Sequence, residues 1–329
     1  MIGFDRLSGK AEAVGDFHDG RAVIYFKKED GNPYVNAFSV GYIDETGRMV
    51  IPARFDAAFD FSEGLAYAES KGMGAFINRQ GQIVIRLPKK MSASLDSFAY
   101  GFHEGRAAVR VETNYGFVDR SGRVICKGYT SVASFSEGLA AVAVNGDNPP
   151  KYGFINTKGE LVISARFDAV FRGHTIGALS HFSEGLASVR VGEEYGFIDK
   201  TGRFVIPPKF SFAGDFSEGL AFVRLGEQAG YINKSGEWAI TRREKIYGGE
   251  RFREGLAAVD FERGTGYLDH TGKIIIQPQF YEGGEFVGGV AAINFRMAPG
   301  SYYIDKAGKA VWPPGHAPPT PNKRRPSRR

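Results

Sequence analysis

Short apolar runs of strand length recur along the whole chain, each closed by a polar turn that carries glycine. One stretch shows the full plan: Phe182-Ser-Glu-Gly-Leu-Ala-Ser-Val189, then Gly196-Phe-Ile-Asp-Lys-Thr-Gly202, then Phe204-Val-Ile-Pro207. Residues Leu186–Val189 read as one strand, Tyr195–Asp199 as a second and Arg203–Ile206 as a third. The turn between the second and third has the form Asp/Asn-x-x-Gly. Asp or Asn opens such a turn because its side chain accepts the N–H two residues on. Glycine at the fourth place supplies the left-handed conformation that closes a three-residue hairpin loop with a bulge.

This unit occurs eight times. Its first landmark is an aromatic-x-acid-Gly knot, from Phe17, Phe61, Phe102, Phe135, Phe182, Phe216 and Phe252, with a degraded copy at Phe286–Gly289. Its second is the Asp/Asn turn at Asp44, Asn78, Asp119, Asn156, Asp199, Asn233, Asp269 and Asp305. Knot glycine to turn glycine is 17 residues in five copies: Gly64 to Gly81, Gly105 to Gly122, Gly185 to Gly202, Gly219 to Gly236 and Gly255 to Gly272. A recurring period of this size marks a tandem repeat array. An aromatic two places before the turn Asp or Asn never fails (Tyr42, Phe76, Phe117, Phe154, Phe197, Tyr231, Tyr267, Tyr303), nor does an alanine two after the knot glycine (Ala22, Ala66, Ala107, Ala140, Ala187, Ala221, Ala257, Ala291). One large and one small residue at fixed places predict interdigitation between successive units, the alanine admitting a neighbour's ring.

The expected fold is all-β: eight tandem β-hairpin or three-stranded repeats in an open, curved, solenoid-like array. The alternative is an eight-bladed propeller-like ring, for which Lys209–Asp215 would have to supply a short fourth strand.

The pattern resembles the bacterial WG-repeat family. Gly196–Phe210 with Phe216–Ala221 is close to the family's unit, Gly266–Phe280 is another good copy, and the resemblance covers about residues 4–312. The tryptophan that names the family is absent before each glycine: Tyr115, Tyr152 and Tyr195 fill that site in three units, and Val40, Met73, Ala229 and Thr265 in others. The resemblance implies a binding or scaffolding part, mainly non-catalytic, and names no ligand.

Charge changes the picture only at one end. The net charge is +5, but residues 313–329 hold Lys323, Arg324, Arg325, Arg328 and Arg329 and no acid. Removing those five from the 42 basic residues leaves 37, equal to the 37 acidic ones. The expected organisation is therefore a neutral repeat domain over 1–312 and a disordered, Pro-rich basic tail over 313–329. Insertions around Lys27–Asn36, Leu87–Tyr100, Gly146–Pro150 and Arg172–Ser180 are places where specificity could reside, with Arg172 and His174 as candidate contacts. The single Cys126 permits no internal disulfide and reads as a buried filler. No apolar run is long enough to span a bilayer as a helix, and the first residues lack a signal-peptide pattern, so a cytoplasmic monomer is expected.

Candidate chemistry is sparse. The knot acids Asp19, Glu63, Glu104, Glu137, Glu184, Glu218 and Glu254 could form an anionic stripe, but each is expected to accept backbone N–H groups of its own turn. One carboxylate per Asp-x-x-Gly turn is too few for calcium. The histidines form no pair at metal spacing, and there is no second cysteine. Repeated serines are unlike a nucleophile, which is singular. The expectation is no enzyme and no cofactor. The leading reading is a scaffold for a protein or peptide. A second is a glycan or small-ligand module stacking sugars on exposed Tyr115, Tyr152 and Tyr195. A third is tail-driven contact with nucleic acid or an anionic membrane.

Overall fold

The computed structural model describes residues 11–14, 17–28, 38–93, 101–144, 150–169, 171–172, 175–176, 180–295 and 298–312. His174 and the five tail cations lie outside the described residues, as do residues 29–37 and 145–149 of two insertions. Every regular element among the described residues is a β-strand, and the sheets are small and antiparallel. The chain divides into two compact bodies, residues 1–181 and 182–329.

In the first body, repeat one is a sheet of Ala11–Val14, Ala22–Lys27, Phe38–Ile43 and Met49–Phe55, in that order. Repeat two is Ala57–Ala58, Leu65–Ser70, Met73–Asn78 and Ile83–Arg86. Repeats three and four run likewise from Phe102 to Tyr129 and from Ser131 to Asp168, with Met91–Ala93 added beside Arg106–Val111 in repeat three. In the second body, repeat five has Leu186–Val191, Glu194–Asp199 and Phe204–Phe210. Repeats six to eight span Phe212–Ile240, Ile246–Phe280 and Glu282–Trp312, each with four strands.

Most sheets thus hold one strand more than the three read from the pattern. The extra strand precedes the knot. Phe212–Ala213, within the segment that the sequence offered as a fourth strand, pairs with Val223 and Arg224. It is too short to show an apolar alternation of its own. The knot is the hairpin that joins this strand to the next one. Ser62 N–H donates to Leu65 O at 2.9 Å and Leu65 N–H to Ser62 O at 3.1 Å, around a two-residue loop. Both loop residues have positive φ, 51° at Glu63 and 80° at Gly64, which is the type I′ turn that matches strand twist.

The Asp/Asn turn forms as its residues dictate. In repeat five, Asp199 Oδ1 accepts the Thr201 N–H at 2.9 Å, the Thr201 hydroxyl at 2.6 Å and the Arg203 N–H at 3.0 Å. Beyond it the outer strand bulges. Tyr195 pairs with Phe210 and Phe197 with Ile206, so two residues on one strand span four on the other. The bulge brings the Ile206 carbonyl to 2.6 Å from where a Cβ on Gly196 would sit. The same glycine recurs at Gly41, Gly116, Gly153, Gly230 and Gly266, each with a partner-strand carbonyl within 2.8 Å of its would-be Cβ. This close approach explains the glycine that follows the tryptophan site. Repeat two is the control: its glycine, Gly74, falls one place earlier, Ala75 stands before the aromatic, Ala75 pairs with Arg86 and Phe76 with Ile85, and that bulge is missing.

The core lies between successive sheets. In repeat two, Leu65 and Tyr67 pack toward repeat three, while Ala66 and Ala68 pack toward repeat one. The unfailing alanine therefore belongs to the face turned to the preceding repeat. The unfailing aromatic meets the next repeat's knot phenylalanine at nearly constant geometry: Tyr42–Phe61, Phe76–Phe102, Phe117–Phe135 and Tyr231–Phe252 have ring centroids 4.9 Å apart, and Phe197–Phe216 4.8 Å. Inclined pairs of this kind add about 0.5–1.5 kcal/mol each beyond the area they bury.

Candidate functional site

The knot acids do not serve their own turns. Each sits at positive φ, and the carboxylates of Asp19, Glu63, Glu104, Glu184, Glu218 and Glu254 reach the next repeat's knot. Gly64 N–H donates to Asp19 Oδ2 at 2.6 Å; Glu104 and Gly105 N–H donate to Glu63 at 2.5 and 3.0 Å; Gly138 N–H donates to Glu104 at 2.8 Å. The second body repeats the motif, with Gly219 on Glu184 at 3.0 Å, Gly255 on Glu218 at 3.0 Å, and Gly288 and Gly289 on Glu254 at 2.6 and 3.0 Å. The physical cause is the type I′ turn, whose two loop N–H groups face outward and are left for a neighbour to satisfy.

A base completes five of these rungs. It is the residue after the turn Asp or Asn, one repeat later: Arg79 lies 3.4 Å from Asp19, Arg120 3.0 Å from Glu63, and Lys234, His270 and Lys306 each 3.1 Å from Glu184, Glu218 and Glu254. Burial alone would push the Glu63 carboxyl up. The Arg120 guanidinium and the Gly105 and Glu104 amides outweigh it and hold the group below its ordinary value. An acid so matched offers little charge to a ligand, so the ladder is a stitching between repeats rather than an anionic stripe. The shallow cavity of about 340 Å³ beside Asp19, Glu63, Asn78 and Arg79 is walled by one of these rungs. Among the described residues no group of acids, histidines and cysteine is placed to hold a metal.

The tyrosines proposed for sugar stacking are not exposed. Tyr115 is 9% accessible within the core of repeats three and four, and Tyr152 is 4% accessible between Phe154 and Phe167. Tyr195 is half-buried, its ring 6.4 Å from Phe212. Each stands opposite the far end of the outer strand, at Tyr129, Phe167 and Phe210, where cross-strand packing covers the ring. Arg172 belongs to the short strand Phe171–Arg172.

Exposed apolar surface lies elsewhere, at the start of the outer strands of repeats two, four and five. Ile83 and Val84, Leu161 and Val162, and Phe204 and Val205 are pairs between 39% and 53% accessible. The outer strand ends its sheet, paired on one side alone. Sequence reasoning passed over these residues, although a signal was present. Two adjacent apolar residues on a strand of period two cannot both face one core.

Among curated proteins none matches this sequence. Solved structures do match. A crystal structure of the eukaryotic initiation factor shares 11% identity, covers 92% of this chain and 88% of its own, and superposes with a TM-score of 0.59. BamB from Moraxella catarrhalis gives 11%, 86%, 93% and 0.47, and Kluyveromyces lactis Hsv2p gives 9%, 62%, 71% and 0.42. Structures of this kind are β-propellers and WD-like folds, consistent with the propeller-like alternative. The family described as WG containing repeat matches residues 41–72, 115–146, 152–173, 195–228 and 266–295. With five of its eight units matched, and with the glycine after the tryptophan site explained by the outer-strand bulge, this chain is a protein of the WG-repeat family.

Proposed function

We propose that the protein is a non-catalytic, cytoplasmic repeat scaffold that binds a protein or peptide along the outer strands of its sheets. The observation that carries this reading is the run of exposed apolar pairs on strands whose outer edges are unpaired. Such edges pair readily with an added strand, and exposed apolar patches favour protein contact. The glycan reading loses its footing with the burial of Tyr115 and Tyr152.

The test is capture by the full chain, by residues 1–312, and by full chains with Leu161→Glu and Val162→Glu. A protein retained by residues 1–312 and released by the two glutamates supports the proposal. Capture of nucleic acid that is lost with the tail overturns it.

A further inference from the structure

The repeat domain is neutral in sum, but its outer strands are not. In the first body each outer strand carries one cation: Arg54 in Met49–Phe55, Arg86 in Ile83–Arg86, Lys127 in Val124–Tyr129 and Arg166 in Leu161–Asp168. All four are exposed. The acid that these strands hold, Asp168, is half-buried and paired with Lys151. The flanking acids are engaged as well, Asp56 by Lys28 at 2.9 Å and Glu160 by the Asn156 amide at 2.7 Å. In the second body Phe204–Phe210 has such a cation, Lys209, whereas Trp238–Ile240, Ile274–Phe280 and Ala310–Trp312 have none.

The four strands adjoin one another. Ile51 Cγ2 lies 2.9 Å from where a Cβ on Gly81 would sit, Ile85 Cγ2 2.6 Å from the same point on Gly122, and Cys126 Cβ 3.0 Å from that on Gly159. These glycines end the turns from which the next outer strands start, so each strand rests its inward side on the beginning of the next. The Arg54 guanidinium donates to Gly81 O at 2.7 Å across the first of these contacts. On the outward side each strand sets aliphatic side chains near its start and its cation near its end. The pairs Ile83–Val84 and Leu161–Val162 are joined there by Met49 and Val124, 36% and 38% accessible. Arg54 and Arg166 lie over the rings of Phe55 and Phe167, 5.2 and 5.1 Å from the centroids, which holds their charge against the surface. Aliphatic patches and single positive charges thus recur four times on one face.

Resting on the scaffold reading, we propose that this face of the first body docks an acidic polypeptide, whose carboxylates meet Arg54, Arg86, Lys127 and Arg166 and whose aliphatic side chains cover the patches between them. Charge complementarity selects the acidic partner. A polypeptide is favoured over a nucleic acid or a lipid surface because the exposed apolar side chains on these four strands are aliphatic. Bases are held by stacking on aromatic rings, and bilayer interfaces are gripped by tryptophan and tyrosine. With one charge per repeat, affinity rises with the length of the acidic segment.

The experiment titrates the full-length chain, its five tail cations replaced by glutamine so that the tail adds no charge. The probes are a soluble peptide of glutamate, glycine and valine, its counterpart with glutamine for glutamate, a single-stranded oligothymidylate, and phosphatidylserine vesicles. Arg86→Glu with Lys127→Glu reverses two charges of the face, and Lys273→Glu reverses one in the second body; melting curves confirm that each folds, and Arg86→Gln with Lys127→Gln stands in if the reversal does not. The expected result is binding of the acidic peptide and not of its glutamine counterpart, weakened about tenfold by the double reversal and unchanged by Lys273→Glu. Acidic-peptide binding that is equal in all chains, or absent, overturns the assignment of this face and leaves the scaffold reading to its own test. Oligothymidylate or vesicles bound in preference to the peptide, and released by the double reversal, overturn both.

Discussion

Gly196→Ala tests the account of the family's glycine. A Cβ built on Gly196 lies 2.6 Å from Ile206 O, 2.7 Å from Pro208 N and 2.9 Å from Pro207 C. All three are backbone atoms of the bulge, so no side chain can swing aside to relieve the clash. Either the bulge between Ile206 and Phe210 shifts or the two strands part. Forcing a methyl into packed surroundings costs about 1–3 kcal/mol. For a body of this size each kcal/mol lowers the melting temperature by roughly 2–4 °C, so a fall of about 3–10 °C is expected. Amide exchange over Phe204–Phe210 should rise more than exchange over Leu186–Val191, which meets the other edge of the same central strand. Ala75→Gly is the counterpart. Repeat two has no bulge to accommodate, so it should lose only the roughly 0.5–1 kcal/mol that glycine costs within a strand. A Gly196→Ala protein that melts with the wild type and protects Phe204–Phe210 equally would refute the argument.

Four further outcomes follow from the same geometry. Phe216→Ala removes the ring that meets Phe197 and should cost about 3–5 kcal/mol by thermal unfolding, against less than about 1.5 kcal/mol for Phe216→Leu. Asp199→Asn should leave the melting temperature nearly unchanged, because Asn233 makes the same turn bonds in repeat six, whereas Asp199→Ala should lower it. Glu63, held below its ordinary 4.5 in the fold, stabilises the junction of repeats two and three above that pH and ceases to do so as pH falls through its lowered value; amide exchange at Glu104 and Gly105 should accelerate there, and Glu63→Gln should remove the pH dependence. Burial pushes the Cys126 thiol up, so it should alkylate slowly at neutral pH in the folded chain and quickly in urea.

What the sequence discloses and what it conceals divide along a physical line. The Asp-x-x-Gly turn is legible because its donors and acceptor lie within five residues, from Asp199 to Arg203. The aromatic and alanine positions are legible because they recur at fixed places, and fixed size at a fixed place implies packing. The first strand of several sheets escapes because two residues, as in Ala57–Ala58, Ser131–Val132 and Phe212–Ala213, carry no periodicity. Tyr115 and Tyr152 mislead because a tyrosine beside a glycine reads equally as exposed platform or as core, and only the strand opposite decides between them.

The knot acid shows where a better inference was available. Had each carboxylate served its own turn, every repeat with that turn would need one. Repeat eight keeps the turn, with φ of 61° at Gly288 and 81° at Gly289, yet has glycine in the acid's place. The residue after the turn Asp or Asn likewise meets the knot acid of the preceding repeat, as Arg79, Arg120, Lys234, His270 and Lys306 do. That geometry assigns both groups to the junction between repeats rather than to the repeat itself. It also explains why a glutamate is kept in a left-handed conformation that glycine or asparagine adopts with less strain.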